Sequence, residues 1–158
     1  MGVKPIPEGY HTLTAVLAVE DASGAIDFYK KAFGAKERMR MDAPGGKIAH
    51  AELEIGDSLI MLSDPFPQSN VKPPNEVGTS TTSIFVYSED VDAAIEKAVD
   101  AGATLTTEAE DMFWGDRFGT ITDPYGHQWS IATHVEDIPP EVIAERGQAA
   151  MAEMMSQA

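Results

Sequence analysis

The chain has 158 residues, 43% of them hydrophobic and 23% charged, which suits one ordinary domain or two small modules sharing a core. A formal net charge of −15 repels phosphate backbones and anionic lipid, so neither nucleic acid nor a membrane surface is an expected partner; a cation is the ligand such a field attracts. Cysteine is absent, which excludes disulfides, thiolate nucleophiles and Cys-ligated metal centres.

Residues 1–11 read as an N-terminal arm, punctuated by Pro5 and Pro7. The segment MGVKPIPEGYH lacks the apolar core of a secretory signal, and Ile6 breaks the myristoylation pattern. No apolar run approaches the roughly 18 residues that span a bilayer. A cytoplasmic location is therefore expected.

Residues 12–64 form a first unit. From Thr12 to Val19 the chain alternates, with Leu13, Ala15, Leu17 and Val19 on one face and Thr12, Thr14, Val16 and Ala18 on the other. That period of two predicts a strand with one face on a core. Glu20-Asp21-Ala22-Ser23 offers capping side chains for a helix carrying Ile26, Tyr29 and Phe33 on one stripe, closed by Gly34. Residues 37–41 predict a second strand, Ala43 to Gly46 a turn, and Ile48–Ile55 and Ser58–Ser63 a hairpin about Gly56-Asp57.

Residues 65–80 are proline-rich and read as a linker. The pattern then restarts over residues 81–134. Thr82–Tyr87 is a strand, Val91 to Val99 a helix, and Ala103–Thr106, Phe118–Thr122 and Gln128–Thr133 three more strands, the last two joined by Asp123-Pro124-Tyr125-Gly126. The halves align at one constant offset: Ala25-Ile26-Asp27 matches Ala94-Ile95-Glu96, Thr14 matches Ser83, and Met61 matches Ser130. Two copies of a βαβββ unit are thus expected. Residues 135–158 predict a helical tail beginning at Pro139-Pro140-Glu141, whose apolar stripe through Val142, Ala149, Met151, Met154 and Met155 would pack on the body or on a second subunit.

Three segments carry a resemblance: VEDASGAIDFYKKAFGA at 19–35, KIAHAELEIGDSLIMLSD at 47–64 and FWGDRFGTITDPYGHQWSIATH at 113–134. They resemble the vicinal-oxygen-chelate (glyoxalase/bleomycin resistance/dioxygenase) superfamily, and its PhnB-like branch in particular. The resemblance implies an α+β fold of two tandem βαβββ modules, forming a cup-shaped mixed sheet with helices on the outer face and a ligand in the cup. It also implies four metal-ligand positions, which fall here on Thr14, Met61, Ser83 and Ser130. None of these supplies an imidazole or a carboxylate, and a catalytic divalent ion needs about three such ligands.

His50 and Glu52 share one strand face and form the candidate catalytic pair, a general base with its orienting carboxylate or half of an unconventional metal site. Met61, Phe85 and Tyr87 are expected to line the cup with Thr14, Ser83 and Ser130. Trp114, Asp116 and Arg117 add an apolar wall, a carboxylate and an anion clamp. His11, His127 and His134, each alone, read as structural or exposed. Two functions follow: a homodimeric protein that binds a small organic molecule without a cofactor, or a lyase, isomerase or dioxygenase using His50 and Glu52 with a divalent metal at a non-standard site.

Overall fold

The computed structural model describes residues 2–158. The first unit comprises β1 (Ala15–Ala18), α1 (Ala22–Phe33), β2 (Lys36–Ala43), β3 (Lys47–Ile55) and β4 (Ser58–Ser63). A short helix, α2 (Pro74–Val77), lies within the linker. The second unit repeats the order: β5 (Ser83–Tyr87), α3 (Val91–Asp100), β6 (Thr104–Asp111), β7 (Asp116–Thr122) and β8 (Gln128–His134). A final helix, α4 (Pro140–Ser156), completes the chain.

Each unit folds into a four-stranded mixed sheet, ordered β1-β4-β3-β2 in the first and β5-β8-β7-β6 in the second. The first strand of each is parallel to the last, and the remaining pairs are antiparallel. This is the expected α+β arrangement of tandem βαβββ units.

Equivalent side chains fasten the two helix starts. Asp64, just past β4, accepts hydrogen bonds from the Asp21, Ala22 and Ile48 amides. At the same offset Thr133 accepts from the Val91 amide and donates to the Ser88 carbonyl. The bonds to the Ala22 and Val91 amides satisfy donors that the first helical turn leaves without a partner. Asp21, at φ 61°, and Asp90 then cap their own helices through Gly24 and Ala93.

Alternation decides what is buried. Leu17, Leu53, Leu62, Ile121, Trp129 and Ile131 turn to the helix side of their sheets and merge with Ile26, Tyr29 and Ile95 in one core. The two units meet at Asp123, only 4% exposed. Its carboxylate accepts from Tyr29 Oη at 2.6 Å, Trp129 Nε1 at 2.9 Å, and the amides of Tyr125 and His127. Trp129 stacks within 4.5 Å of Phe33 and 5.3 Å of Tyr29. His127 Nε2 lies 2.9 Å from the Ala18 carbonyl oxygen, and a carbonyl there requires that nitrogen to carry the proton.

Several boundaries differ from expectation, among them β2, which spans Lys36–Ala43 rather than 37–41. β1 starts at Ala15 rather than Thr12, because its ladder with β4 begins at the pair Ala15–Ile60. β6 runs on to Asp111; it is exposed along nearly its whole length, so no alternation marks it. β7 already begins at Asp116. The tail is helical as expected, but no side chain of α4 is buried, and Met151, Met154 and Met155 stay exposed.

Replacing Asp123 by Ala would strand four donors in the core. The variant is expected to lose about 3 kcal/mol of stability, and Tyr29→Phe about 1 kcal/mol, in urea unfolding. Equal losses for the two variants would show that Asp123 is not the hub of the junction.

Candidate functional site

The face of each sheet turned away from the helices carries the candidate residues. On the first sheet, Val16, Met61, Glu52 and Met39 are successive cross-strand neighbours, with Met41 opposite His50. His50 Nε2 and Glu52 Oε1 stand 3.4 Å apart. The structure therefore brings the pair together, but under the N-terminal arm. Pro5, Pro7, Tyr10 and His11 close over Met61, leaving a small hollow of about 300 Å³. Arg38 holds the arm, donating to the Glu8 carbonyl and lying 5.5 Å from the Tyr10 ring.

The Tyr10 hydroxyl is shut from water and lacks a well-formed hydrogen bond. Burial first, and the Glu52 carboxylate second, push its pKa up to about 12. The same phenol, with His50 behind it, holds Glu52 below the usual carboxylate value. Tyr10 was not legible as a site residue, since only the folded-back arm places it there.

On the second sheet the corresponding face is aromatic. Phe85 stacks on Phe118 at 5.8 Å and tilts against Tyr87 at 5.0 Å. Trp114 meets Phe118 edge-on at 5.6 Å, and Phe113 flanks Trp114. Phe85 and Tyr87 nonetheless remain 47% and 64% exposed. Among these rings sits Asp116, 3% exposed. It accepts from Tyr87 Oη and Trp114 Nε1, each at 3.0 Å, and faces His134 Nδ1 at 2.8 Å. His134 Nε2 is 2.9 Å from Asp137. Asp116, then Asp137, raise the His134 pKa above 6.5, and Asp116 also raises that of Tyr87.

The predicted trio of Trp114, Asp116 and Arg117 is thus divided. Trp114 and Asp116 join the aromatic face, whereas Arg117, one residue on in a strand, points to the other side. There its guanidinium grips Asp92 of α3 at 2.7 Å and Asp111 at 3.3 Å, and Asp92 is held below its ordinary pKa by that contact. His134, read alone as structural, is the missing partner. Counting outward from the β7–β8 turn in antiparallel register pairs it with Asp116.

The four inherited metal positions are neutral. Ser83 Oγ and Ser130 Oγ hydrogen-bond to each other at 2.9 Å. Met61 lines the hollow beneath the arm, and Thr14 is half-buried just before β1. Hydroxyls and a thioether do not fit a catalytic divalent ion. Among the described residues no group of three or more His, Asp or Glu side chains is placed to hold a metal.

With this geometry established, the comparisons with known proteins define the class. The model of the Glyoxalase/Bleomycin resistance protein/Dioxygenase superfamily matches residues 11–131, and the chain belongs to that superfamily. It is 43% identical over 129 residues to an uncharacterized protein of Mycobacterium tuberculosis, covering 80% of this chain and 76% of that one. The solved structure of the Arabidopsis thaliana At5g48480 gene product is similar at 28% identity and TM-score 0.65, covering 78% of this chain and 98% of that one. The PhnB protein of Bacillus cereus, at 18% identity and TM-score 0.60, shares the fold over 78% of this chain and 99% of its own.

The raised His134 pKa has a signed consequence. The charged His134–Asp116 pair contributes in full below pH 6.5 and is lost as pH rises through the higher folded-state pKa. A proton NMR titration should place the His134 midpoint above 6.5, and Asp116→Asn should lower it. A midpoint insensitive to that substitution would mean the contact does not form in solution.

Proposed function

We propose that this protein binds a small aromatic or cationic organic molecule on the second sheet's aromatic face, with no metal at the four inherited positions. The observation that carries this is the ring cluster of Phe85, Tyr87, Phe118 and Trp114 around buried Asp116. Aromatic side chains left half-exposed on a shaped face favour a planar guest. Their π-faces attract a cation, and the surrounding charge of −15 acts in the same direction.

A second copy of the chain closes the site in this reading. The monomer exposes 9980 Å², where a compact protein of 17.0 kDa exposes about 7,700 Å². The excess is of the size that a stable interface covers. Val16, Met39 and Met41 on the first sheet, and Met151, Met154 and Met155 on α4, are exposed apolar side chains available to it. Among the described residues no helix is long and apolar enough to cross a membrane; a homodimer working in the cytoplasm belongs to the same proposal.

His50, Glu52 and Tyr10 support a second reading, in which the pair acts as a base or binds an unconventional metal in a lyase, isomerase or dioxygenase. Elemental analysis separates the two. Stoichiometric zinc, nickel, iron or manganese, lost on His50→Ala, would establish the enzyme reading and overturn the metal-free one.

The ligand site is tested by thermal shift with benzyltrimethylammonium and, as the anionic counterpart, benzoate. The cation should raise Tm in a concentration-dependent way and benzoate should not. Phe85→Ala should weaken cation binding about tenfold. Raising the pH through the His134 pKa should strengthen it, because Asp116 then loses its charged partner. Absence of any shift with the cation would remove the basis for the site. Sedimentation should give a dimer; a monomer at micromolar concentration would leave the exposed faces unexplained.

A further inference from the structure

The internal repeat is filled at one of its two junctions and left open at the other. At the filled junction the β7–β8 turn of the second unit lies against the end of β1. Tyr125 sits over α1, so close that a Cβ at Gly24 would come within 2.7 Å of its hydroxyl, and its ring meets Phe28 at 6.5 Å. His127 donates to the outward carbonyl of Ala18. The repeat offset replaces the side chains that fill this junction: Tyr125 becomes Gly56, His127 becomes Ser58, Trp129 becomes Ile60 and Phe28 becomes Lys97, while the positions they pack on, Gly24 and Ala18, become Ala93 and Tyr87.

The consequence is a crevice of about 750 Å³. Gly56, Ser58 and Lys97 line it where Tyr125, His127 and Phe28 stand at the filled junction, Ala93 lines it beside them, and Phe33 and Trp129 form part of its floor. One wall is the free edge of β5, which pairs only with β8. The Ser88 amide points to β8, donating to the Ala132 carbonyl. Alternation therefore turns the amide and carbonyl of Tyr87 and of Phe85 away from β8, into the crevice. No side chain among the described residues reaches the Tyr87 carbonyl, whereas its counterpart at Ala18 is met by His127. Three carboxylates (Asp57, Glu89 and Asp90) and one ammonium (Lys97) surround the opening.

We propose that this crevice is a second ligand site, on the free edge of β5 and bordered, like the aromatic face, by Phe85 and Tyr87, for a heteroaromatic molecule bearing an N–H donor and a neutral or positive charge. The molecule's own rings take the place that Tyr125 and His127 fill in the other junction. An N–H of the ligand donates to the Tyr87 carbonyl as the His127 imidazole does to Ala18. The apolar floor covers the ring system, and the acidic rim discriminates against carboxylates.

Tryptamine is the probe, with indole-3-acetate as the anionic molecule of the same ring system. In ¹H–¹⁵N NMR spectra tryptamine should shift the amides of Ser58, Tyr87, Ser88 and Ala93, and calorimetry should show it binding more tightly than indole-3-acetate. Ser58→His restores the side chain of the filled junction and Ala93→Trp adds bulk to the crevice wall, both at exposed positions. Each should weaken the tryptamine binding that the crevice amides report at least about tenfold, whereas Phe118→Ala on the aromatic face should leave that crevice binding unchanged. Shifts confined to Trp114, Phe118 and His134 with loss of binding in Phe118→Ala, tighter binding of the carboxylate, or no binding of tryptamine would each overturn the proposal. The first of these outcomes would leave the aromatic-face site standing, so the two sites fail separately.

Discussion

The buried carboxylate of Asp123 constrains the molecule more than any other single group. A charge taken out of water is tolerated only when its acceptor sites are met. Here they are met by donors from both units: the Tyr29 hydroxyl on α1, and the Trp129 indole with two turn amides in the second unit. The bond from Tyr29 ties the first unit's helix to the second unit's hairpin, and the bond from Trp129 holds its indole tilted against Phe33. One core results instead of two, which matters because a unit of some fifty residues is marginal alone. Edge-to-edge alignment of the units follows, with β1 and the β7–β8 turn at one junction and β5 and the β3–β4 turn at the other.

Repetition supplies the frame, and departures from it supply the chemistry. Asp64 and Thr133 perform the same helix-fastening task with different polar groups. The helix-free faces diverge further. The first is methionine-rich and roofed by the arm through Arg38 and Tyr10. The second keeps exposed rings around Asp116. An arm precedes only the first unit in the chain, so only one of two otherwise related faces can be covered in this way. The uncovered one is left for a ligand or for another copy.

Much of the fold was legible because burial writes a period into the chain. Strands β3, β4, β5 and β8 have one face in the core, and alternation located them to within a residue or so. β6 was underestimated because both its faces are exposed and no side is selected for apolar residues. The site was less legible. Strand parity correctly grouped Met61 with Glu52, and Phe85 with Tyr87, but sequence adjacency misled for Arg117. In β7 adjacent residues face opposite ways, and the Asp92 carboxylate on α3 claims the guanidinium. His134 and Asp116 are eighteen residues apart and meet only through hairpin register. Tyr10 over Glu52 depends on the path of an irregular arm, for which no period exists.

The polar groups on the helix-free faces also bear on the proposal that no metal sits at Thr14, Met61, Ser83 and Ser130. A divalent site needs converging negative or imidazole ligands, and these repel one another until a cation fills it. Hydroxyls do not carry that penalty: Ser83 and Ser130 satisfy each other across the strands. On the second face the buried acid, Asp116, is not left unpaired either, since Tyr87, Trp114 and His134 occupy it; Glu110 on β6 stands opposite Phe118. A face whose buried polar groups satisfy one another and whose rings are not covered suits the organic guest proposed for it. On that proposal, affinity for a cation should follow pH through the pairing of His134 with Asp116.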